Sequence, residues 1–311
     1  MEKVDWELLN TNHRKDIFVK MQRIMKNVIQ VKGLFIMLTC LIVFMCMGVD
    51  VHAQENTTYQ IWVNRAANCV TVYTKDATGN YTIPVRSFAC SCGKEGRETP
   101  LGVFTTSNYY NWRRMVDGTY AQYAIRFNGK ILFHSVPYYS QNSSNLEKDQ
   151  FNMLGEDASL GCVRLAVSDV KWLYDNCPKG TVVVVYDDET NPGPLGKPQQ
   201  MKMDLAHPFA GWDPTDVSEI NPWNTVKPSL YLVNDMGDGV LYVPVGATLE
   251  AAKAAVGLKN SVGAAYPAGT YSIEFNGSYN LNVPGVYKIW VSGYDALGVK
   301  TEQEMMLAVI G

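Results

Sequence analysis

Ser159-Leu160-Gly161-Cys162-Val163-Arg164-Leu165 is the stretch on which the reading of this 311-residue chain turns. At its centre a cysteine follows a glycine, where the backbone can turn sharply and let a substrate come close. His134 lies 28 residues upstream, in Phe133-His134-Ser135. The thiolate is the nucleophile toward an acyl carbon, and a free thiol is only a few per cent ionised at neutral pH. A nearby imidazole takes that proton and later returns it to a leaving amine. Cys162 and His134 are therefore the candidate nucleophile and general base.

Working upstream, residues 58–135 read as short strands with turns. Thr58–Val63 and Cys69–Tyr73 alternate and are rich in β-branched and aromatic residues. Thr78-Gly79-Asn80 marks a turn between them and Tyr81. Tyr123–Phe127, Asn128-Gly129 and Ile131–His134 read as a hairpin with a tight turn, so His134 ends a strand. Residues 138–157 are polar with little periodicity and read as a long loop, either a lid or substrate wall or a tolerated surface insertion. Downstream, Ser168 is a fair N-cap for a short helix over residues 168–176. Thr181–Tyr186 then suits a buried strand.

Two further pieces join this order. Glu98-Thr99-Pro100-Leu101-Gly102-Val103-Phe104 precedes the histidine, and Gly180-Thr181-Val182-Val183-Val184-Val185-Tyr186 follows the cysteine. With the histidine and Ser-x-Gly-Cys-Val-Arg, they resemble the L,D-transpeptidase family, whose catalytic domain is called the YkuD domain. The resemblance spans roughly residues 58–188. It implies a β-rich catalytic fold with a short helix after the nucleophile. It also implies attack by Cys162 on the bond to a terminal D-alanine in a peptidoglycan stem. The resulting thioester would pass to an acceptor amine, or to water in a carboxypeptidase. In the family the histidine is oriented by the backbone carbonyl of the next residue, here Ser135. Backbone amides near Gly161 and Cys162 would hold the oxyanion. Arg164 would bind a stem carboxylate or hold the loop in shape, and Ser159 would make a local turn hydrogen bond. Leu160 departs from the histidine common in Ser-His-Gly-Cys, so that position is not the base. Asp157 and Asp169 read as turn or cap residues rather than a third catalytic member. Tyr109, Tyr110 and Trp112 either line the cleft or pack ordinarily.

A papain-like peptidase needs Cys before His, the reverse of the order here. A non-catalytic wall-binding module remains as the alternative to an enzyme. Charge gives no support to nucleic-acid binding: the formal net charge is −3, and no basic run interleaved with aromatics follows residue 53. Cys90-x-Cys92 lacks the spacing of a zinc knuckle and has no histidine near it in sequence, so no metal or other cofactor is expected. Among Cys69, Cys90, Cys92 and Cys177, one disulfide and free buried thiols are both open, with Cys69 to Cys90 or Cys92 as the candidate bridge.

The N-terminus reads as an export segment. Lys20, Arg23, Lys26 and Lys32 precede an uncharged apolar run from Gly33 to Val49, and Val51-His52-Ala53 fits a small-residue cleavage site. Cleavage and retention as a membrane anchor through residues 33–49 are both open. Either places the rest outside the cytoplasm, in the extracellular space or cell wall. The expected organisation is 1–53 signal or anchor, 54–188 catalytic domain, 189–228 linker or ordered arm, and 229–311 an immunoglobulin-like β domain. Seven of the 14 prolines fall between Asp187 and Pro228, alongside Phe209, Trp212 and Trp223. A freely solvated tether rarely carries so many aromatics. In the last unit, Pro284-Gly285-Val286-Tyr287 and Asp295-Ala296-Leu297-Gly298 resemble the closing strands of bacterial immunoglobulin-like modules. The fold class is thus mainly β, with a smaller C-terminal β-sandwich-like domain.

Overall fold

The computed structural model describes residues 57–311. The expected export segment and anchor lie outside the described residues. Nine strands build the first part: β1 Tyr59–Asn64, β2 Cys69–Lys75, β3 Tyr81–Ala89, β4 Gly102–Thr105, β5 Tyr109–Arg114, β6 Tyr120–Asn128, β7 Ile131–Ser135, β8 Val163–Leu165 and β9 Val182–Tyr186. They form two sheets, ordered β3-β2-β1-β9-β4 and β5-β6-β7-β8. Strict alternation decides which side chains go inward. Ile61, Val63, Val70, Val72, Val183 and Val185 from the first sheet join Ile125, Phe127, Phe133, Val163 and Leu165 from the second in one core.

Two helices belong to this part, α1 Lys148–Phe151 and α2 Val167–Asn176. Val170 and Leu173 seal α2 onto the core. Its N-terminus differs from expectation. The capping position is Ala166, which offers no side-chain bond, and Ser168 lies inside the helix. The cap comes from far along the chain: Asp213 Oδ2 accepts from Val167 N at 3.0 Å, and Thr215 Oγ1 accepts from Ser168 N at 3.1 Å.

The polar segment 138–157 is not a loose loop. Leu146, Phe151 and Leu154 are buried with Val136 and Tyr138, and Met201, Met203, Ala210 and Trp223 of the proline-rich arm complete that cluster. The sequence hides this because three apolar residues among many polar ones give no period. Their arm partners lie 47 to 77 positions away.

The C-terminal part holds β10 Ser229–Leu232, β11 Val240–Pro244, α3 Leu249–Ala254, β12 Val256–Lys259, β13 Ser272–Asn276, β14 Gly285–Tyr294 and β15 Lys300–Ile310. Its sheets are β11-β15-β14-β13 and the two-stranded β10-β12. The β11–β15 pair is parallel and the other ladders are antiparallel. Leu241, Ile289, Val291 and Leu307 centre its own core. It meets β3 through a polar seam. Asn276 accepts from Ser87 N at 2.9 Å and donates to Ser87 Oγ at 2.7 Å. The Arg86 guanidinium pairs with Glu302 and lies 3.8 Å from the centre of the Trp290 ring.

Candidate active site

β7 and β8 run parallel, with Phe133 opposite Val163 and His134 opposite Arg164. Phe133 and Val163 point into the core. Alternation therefore puts Leu132 and His134 of β7 on the other face, together with Arg164 of β8 and Cys162 just before it. Cys162 comes one row before His134, opposite Leu132. With strands about 4.8 Å apart and a rise of about 3.3 Å per residue, the His134 and Cys162 Cα atoms stand roughly 8 Å apart, a diagonal that long side chains span.

The imidazole is 2% exposed. Its Nδ1 lies 2.6 Å from the Ser135 carbonyl oxygen. A carbonyl only accepts, so Nδ1 carries the proton and Nε2 keeps its lone pair. Ser135 thus stands where the sequence places it, acting through its backbone. Its own hydroxyl donates to Val136 O at 2.8 Å and accepts from Gln122 N at 2.9 Å, which locks the strand end. Burial, helped by the Arg164 charge, pushes the His134 pKa down to about 3. Asp157 accepts from Asn68 Nδ2 at 2.8 Å and Asp169 is buried in α2, so neither orients the imidazole.

Cys162 is partly exposed, with Sγ 3.9 Å from the Lys130 carbonyl oxygen. Burial pushes its thiol pKa up. The Leu132 backbone amide and the Arg164 and Arg126 charges act the other way. By contrast Cys69, Cys90, Cys92 and Cys177 are free and fully buried, and burial lifts the Cys69 and Cys177 thiols to about 12. The disulfide held open for Cys69 is not formed. Cys90 and Cys92 approach each other instead, with sulfurs 3.9 Å apart.

The turn before Cys162 is over-determined. Ser159 Oγ accepts from Gly161 N at 3.0 Å and donates to Cys162 O at 2.5 Å. Gly161 has φ +113°, and a Cβ there would meet Ile131 Cδ1 at 3.1 Å. Thr99 Oγ1 donates to Gly161 O and accepts from Gly93 N, each at 3.0 Å, so the Thr-Pro turn braces the cysteine turn. Of the two amides expected to face an oxyanion, that of Gly161 is already committed to Ser159.

Arg164 lies on the same face. It is 8% exposed, and its Nη1 donates to Gln150 Oε1 at 2.6 Å and to Ala158 O at 3.2 Å. That ties it to the 138–157 segment. The same face continues past His134 to Val136 and Ala166, both under the apolar cluster of segment 138–157 and the arm. One end of the face is covered and the Cys162 end is open, with His134 at the boundary. The three aromatics divide accordingly. Tyr109 packs in the core, Trp112 lies 5.2 Å from Tyr138 under the cover, and Tyr110 stands at the open end near Arg126. Thr99 and Arg126 went unassigned by sequence reasoning, although Arg126 shares its hairpin with His134. Among the described residues no group of three His, Cys, Asp or Glu side chains could hold a metal ion.

A mostly β protein with a thiol and an imidazole on one sheet face is the class these features define. Residues 58–185 match the YkuD family model, described as the L,D-transpeptidase catalytic domain. Over that stretch the chain is similar to the L,D-transpeptidase catalytic domain. The protein YciB of Bacillus subtilis (strain 168), a candidate L,D-transpeptidase, is 43% identical over 58 residues, 19% of this chain and 29% of that protein. Among solved structures, a fused Zn-dependent amidase/peptidase/peptidoglycan-binding domain-containing protein from Clostridium acetobutylicum ATCC 824 is 25% identical, with TM-score 0.32, covering 42% of this chain and 52% of its own. An L,D-transpeptidase from Mycobacterium smegmatis is 20% identical, with TM-score 0.33, covering 42% and 58%. The chain thus spans under a third of the curated relative's length and about half of the Clostridium protein's.

Proposed function

We propose that this chain is an exported cysteine L,D-transpeptidase acting on peptidoglycan stem peptides. The observation that carries the reading is His134 Nδ1 held by the Ser135 carbonyl, with Nε2 free on the sheet face that bears Cys162. His134 takes the Cys162 proton as the sulfur attacks the carbonyl preceding the terminal D-alanine. The oxyanion rests on the Cys162 amide, since the Gly161 amide is engaged. Such a preorganised donor contributes about 3 kcal/mol in the transition state. Collapse breaks the C–N bond, and D-alanine leaves with the proton from His134. An amine from a second stem then attacks the thioester, loses a proton to His134, and releases the thiol, which regains that proton. The N-terminal segment accounts for export or anchoring, and the C-terminal part is proposed as an immunoglobulin-like module that positions the enzyme on the wall.

The test is mass spectrometry of products from a defined stem tetrapeptide. Wild type is expected to release D-alanine and form dimer, while Cys162→Ala and His134→Gln form neither. Release without dimer means water is the acceptor and the chain is a carboxypeptidase. A thiol-reactive acyl probe that leaves wild-type Cys162 unlabelled would make the domain a non-catalytic binder. For the C-terminal part, sacculus binding by residues 54–190 equal to that of the full chain would remove its positioning role.

A further inference from the structure

Seven of the 20 Lys and Arg side chains in residues 57–311 hold an acidic partner. Arg65 pairs with Asp187, Arg86 with Glu302, Lys171 with Asp175 and Lys300 with Glu302. Arg113 and Arg126 have no acidic partner among the described residues, and both sit at Tyr110. The Arg113 guanidinium lies 4.8 Å from the ring centre of Tyr110 and that of Arg126 lies 6.0 Å from it. Arg126 Nη2 is also 3.5 Å from the Tyr110 hydroxyl, and its Nη1 donates to the Gly129 carbonyl.

The register brings this group to the nucleophile. Arg126 on β6 stands opposite Leu132 on β7, and the next position across, toward β8, is Cys162. Two strand spacings put the Arg126 and Cys162 Cα atoms about 10 Å apart, on the same face. A guanidinium on a side chain of that length meets a carboxylate a few bonds from an acyl carbon held at the sulfur. Its influence already reaches Cys162, whose thiol it helps to ionise against burial. Asp117, the acidic group that also acts on the sulfur, is engaged by Thr119 N at 3.1 Å and Thr119 Oγ1 at 2.6 Å. Exposed Lys130 adds a third positive charge in the β6–β7 turn. In a chain of net charge −3, this rim is a local reversal of sign.

We propose that Arg126, steadied by Tyr110 and Arg113, binds a carboxylate of the acyl-donor peptide and sets which donors are accepted. This rests on the L,D-transpeptidase reading of Cys162. A stem donor carries two such groups near the scissile bond, the C-terminal carboxylate and the side-chain carboxylate of the diamino acid. A planar fork suits either one.

The full chain, wild type, Arg126→Gln and Arg126→Lys, is given tetrapeptides with neither, one or both of those carboxyls amidated, and kcat/KM for loss of the last residue is measured. Losing a charge-assisted hydrogen bond is expected to lower the wild-type value roughly 10- to 100-fold, for whichever carboxyl Arg126 holds. In Arg126→Gln the free and amidated donors are expected to fall within about threefold of each other, with Arg126→Lys in between. A neutral thiol-acylating probe is expected to label Cys162 in Arg126→Gln within about threefold of the wild-type rate. Wild type indifferent to both amidations, or a preference that survives Arg126→Gln, overturns the assignment while leaving the enzyme reading intact. A probe rate that falls as far as the peptide rate also overturns it, because Arg126 would then act on the thiol alone. No reaction of wild type with probe or peptide removes both. Should Arg126→Gln not fold, as its thermal melt would show, Arg126→Lys and the wild-type amidation series decide.

Discussion

At the scale of single residues, burial disfavours the charged form of both the Cys162 thiol and the His134 imidazole. Burial raises the one pKa and lowers the other to about 3. Iodoacetamide capture of Cys162, followed by peptide mass spectrometry, is therefore expected to accelerate with pH and to be still climbing at about pH 8.5. A rate flat between about pH 5 and 8 is what a thiolate–imidazolium pair gives, and it would contradict the neutral state. The imidazole also bears on stability. Its folded pKa lies below the unfolded value of about 6.5, so its contribution is full above that pH and is lost as pH falls through the window toward 3. Gly161→Ala tests the turn. A Cβ at φ +113° is strained and would press on Ile131 Cδ1 at 3.1 Å, one residue before Cys162. Turnover is expected to fall about 100-fold, the scale of a misplacement near 1 Å, with a much smaller change in melting temperature.

At the scale of elements, α2 begins without a cap of its own and borrows one from the arm. Asp213 is fully buried, and it binds Val167 N and both the amide and hydroxyl of Thr215. Asp213→Ala is expected to destabilise the protein by about 2–3 kcal/mol in urea titration, the loss of a cap plus buried donors left unpaired. Asp213→Asn, which keeps one carbonyl acceptor, should lose less. Equal stability of Asp213→Ala and wild type would mean that the arm does not hold the helix. The hairpin β6–β7 was legible from sequence, because period-two alternation and turn chemistry act over a few residues. Its turn residues, however, are Gly129 and Lys130 rather than Asn128 and Gly129, and β7 runs one residue past His134 to Ser135. Strand β5 was seen only as three aromatics of uncertain duty. Tyr109 and Tyr110 face opposite sides, and composition alone could not say which side was core. The Ser168 cap failed for the same kind of reason: the competing acceptor lies 46 positions downstream of Val167.

At the scale of the whole molecule, the C-terminal part is fastened to β3 by a carboxylate between two cations. Glu302 meets Arg86 and, at 2.8 Å, Lys300. Lys300 and Arg86 hold the Glu302 pKa down at about 2 despite burial. A depressed carboxylate gives stability that is present above the unfolded value of about 4.5 and is lost as pH falls through 4.5 toward 2. Glu302→Gln is expected to cost about 3 kcal/mol near pH 7, since both cations stay buried without their partner. The gap between wild type and Glu302→Gln in urea midpoints should narrow between about pH 4.5 and 2.5. A gap that is absent at pH 7, or unchanged at low pH, would show that the seam is held by the Ser87–Asn276 bonds and the Trp290 stack instead.

Strands β1, β2, β6, β7 and β9 and the order of histidine, glycine and cysteine came from sequence alone. All of these are set by neighbours a few residues apart or by a short motif. The division of the face bearing Cys162 and His134 into a covered and an open end came only from the folded chain. Leu146, Phe151 and Leu154 are buried there by the arm, Arg164 is turned onto Gln150, and Arg126 stands in line with Cys162. Each of these depends on partners brought together by sheet register and by packing between distant segments, and no local window of residue types carries that information.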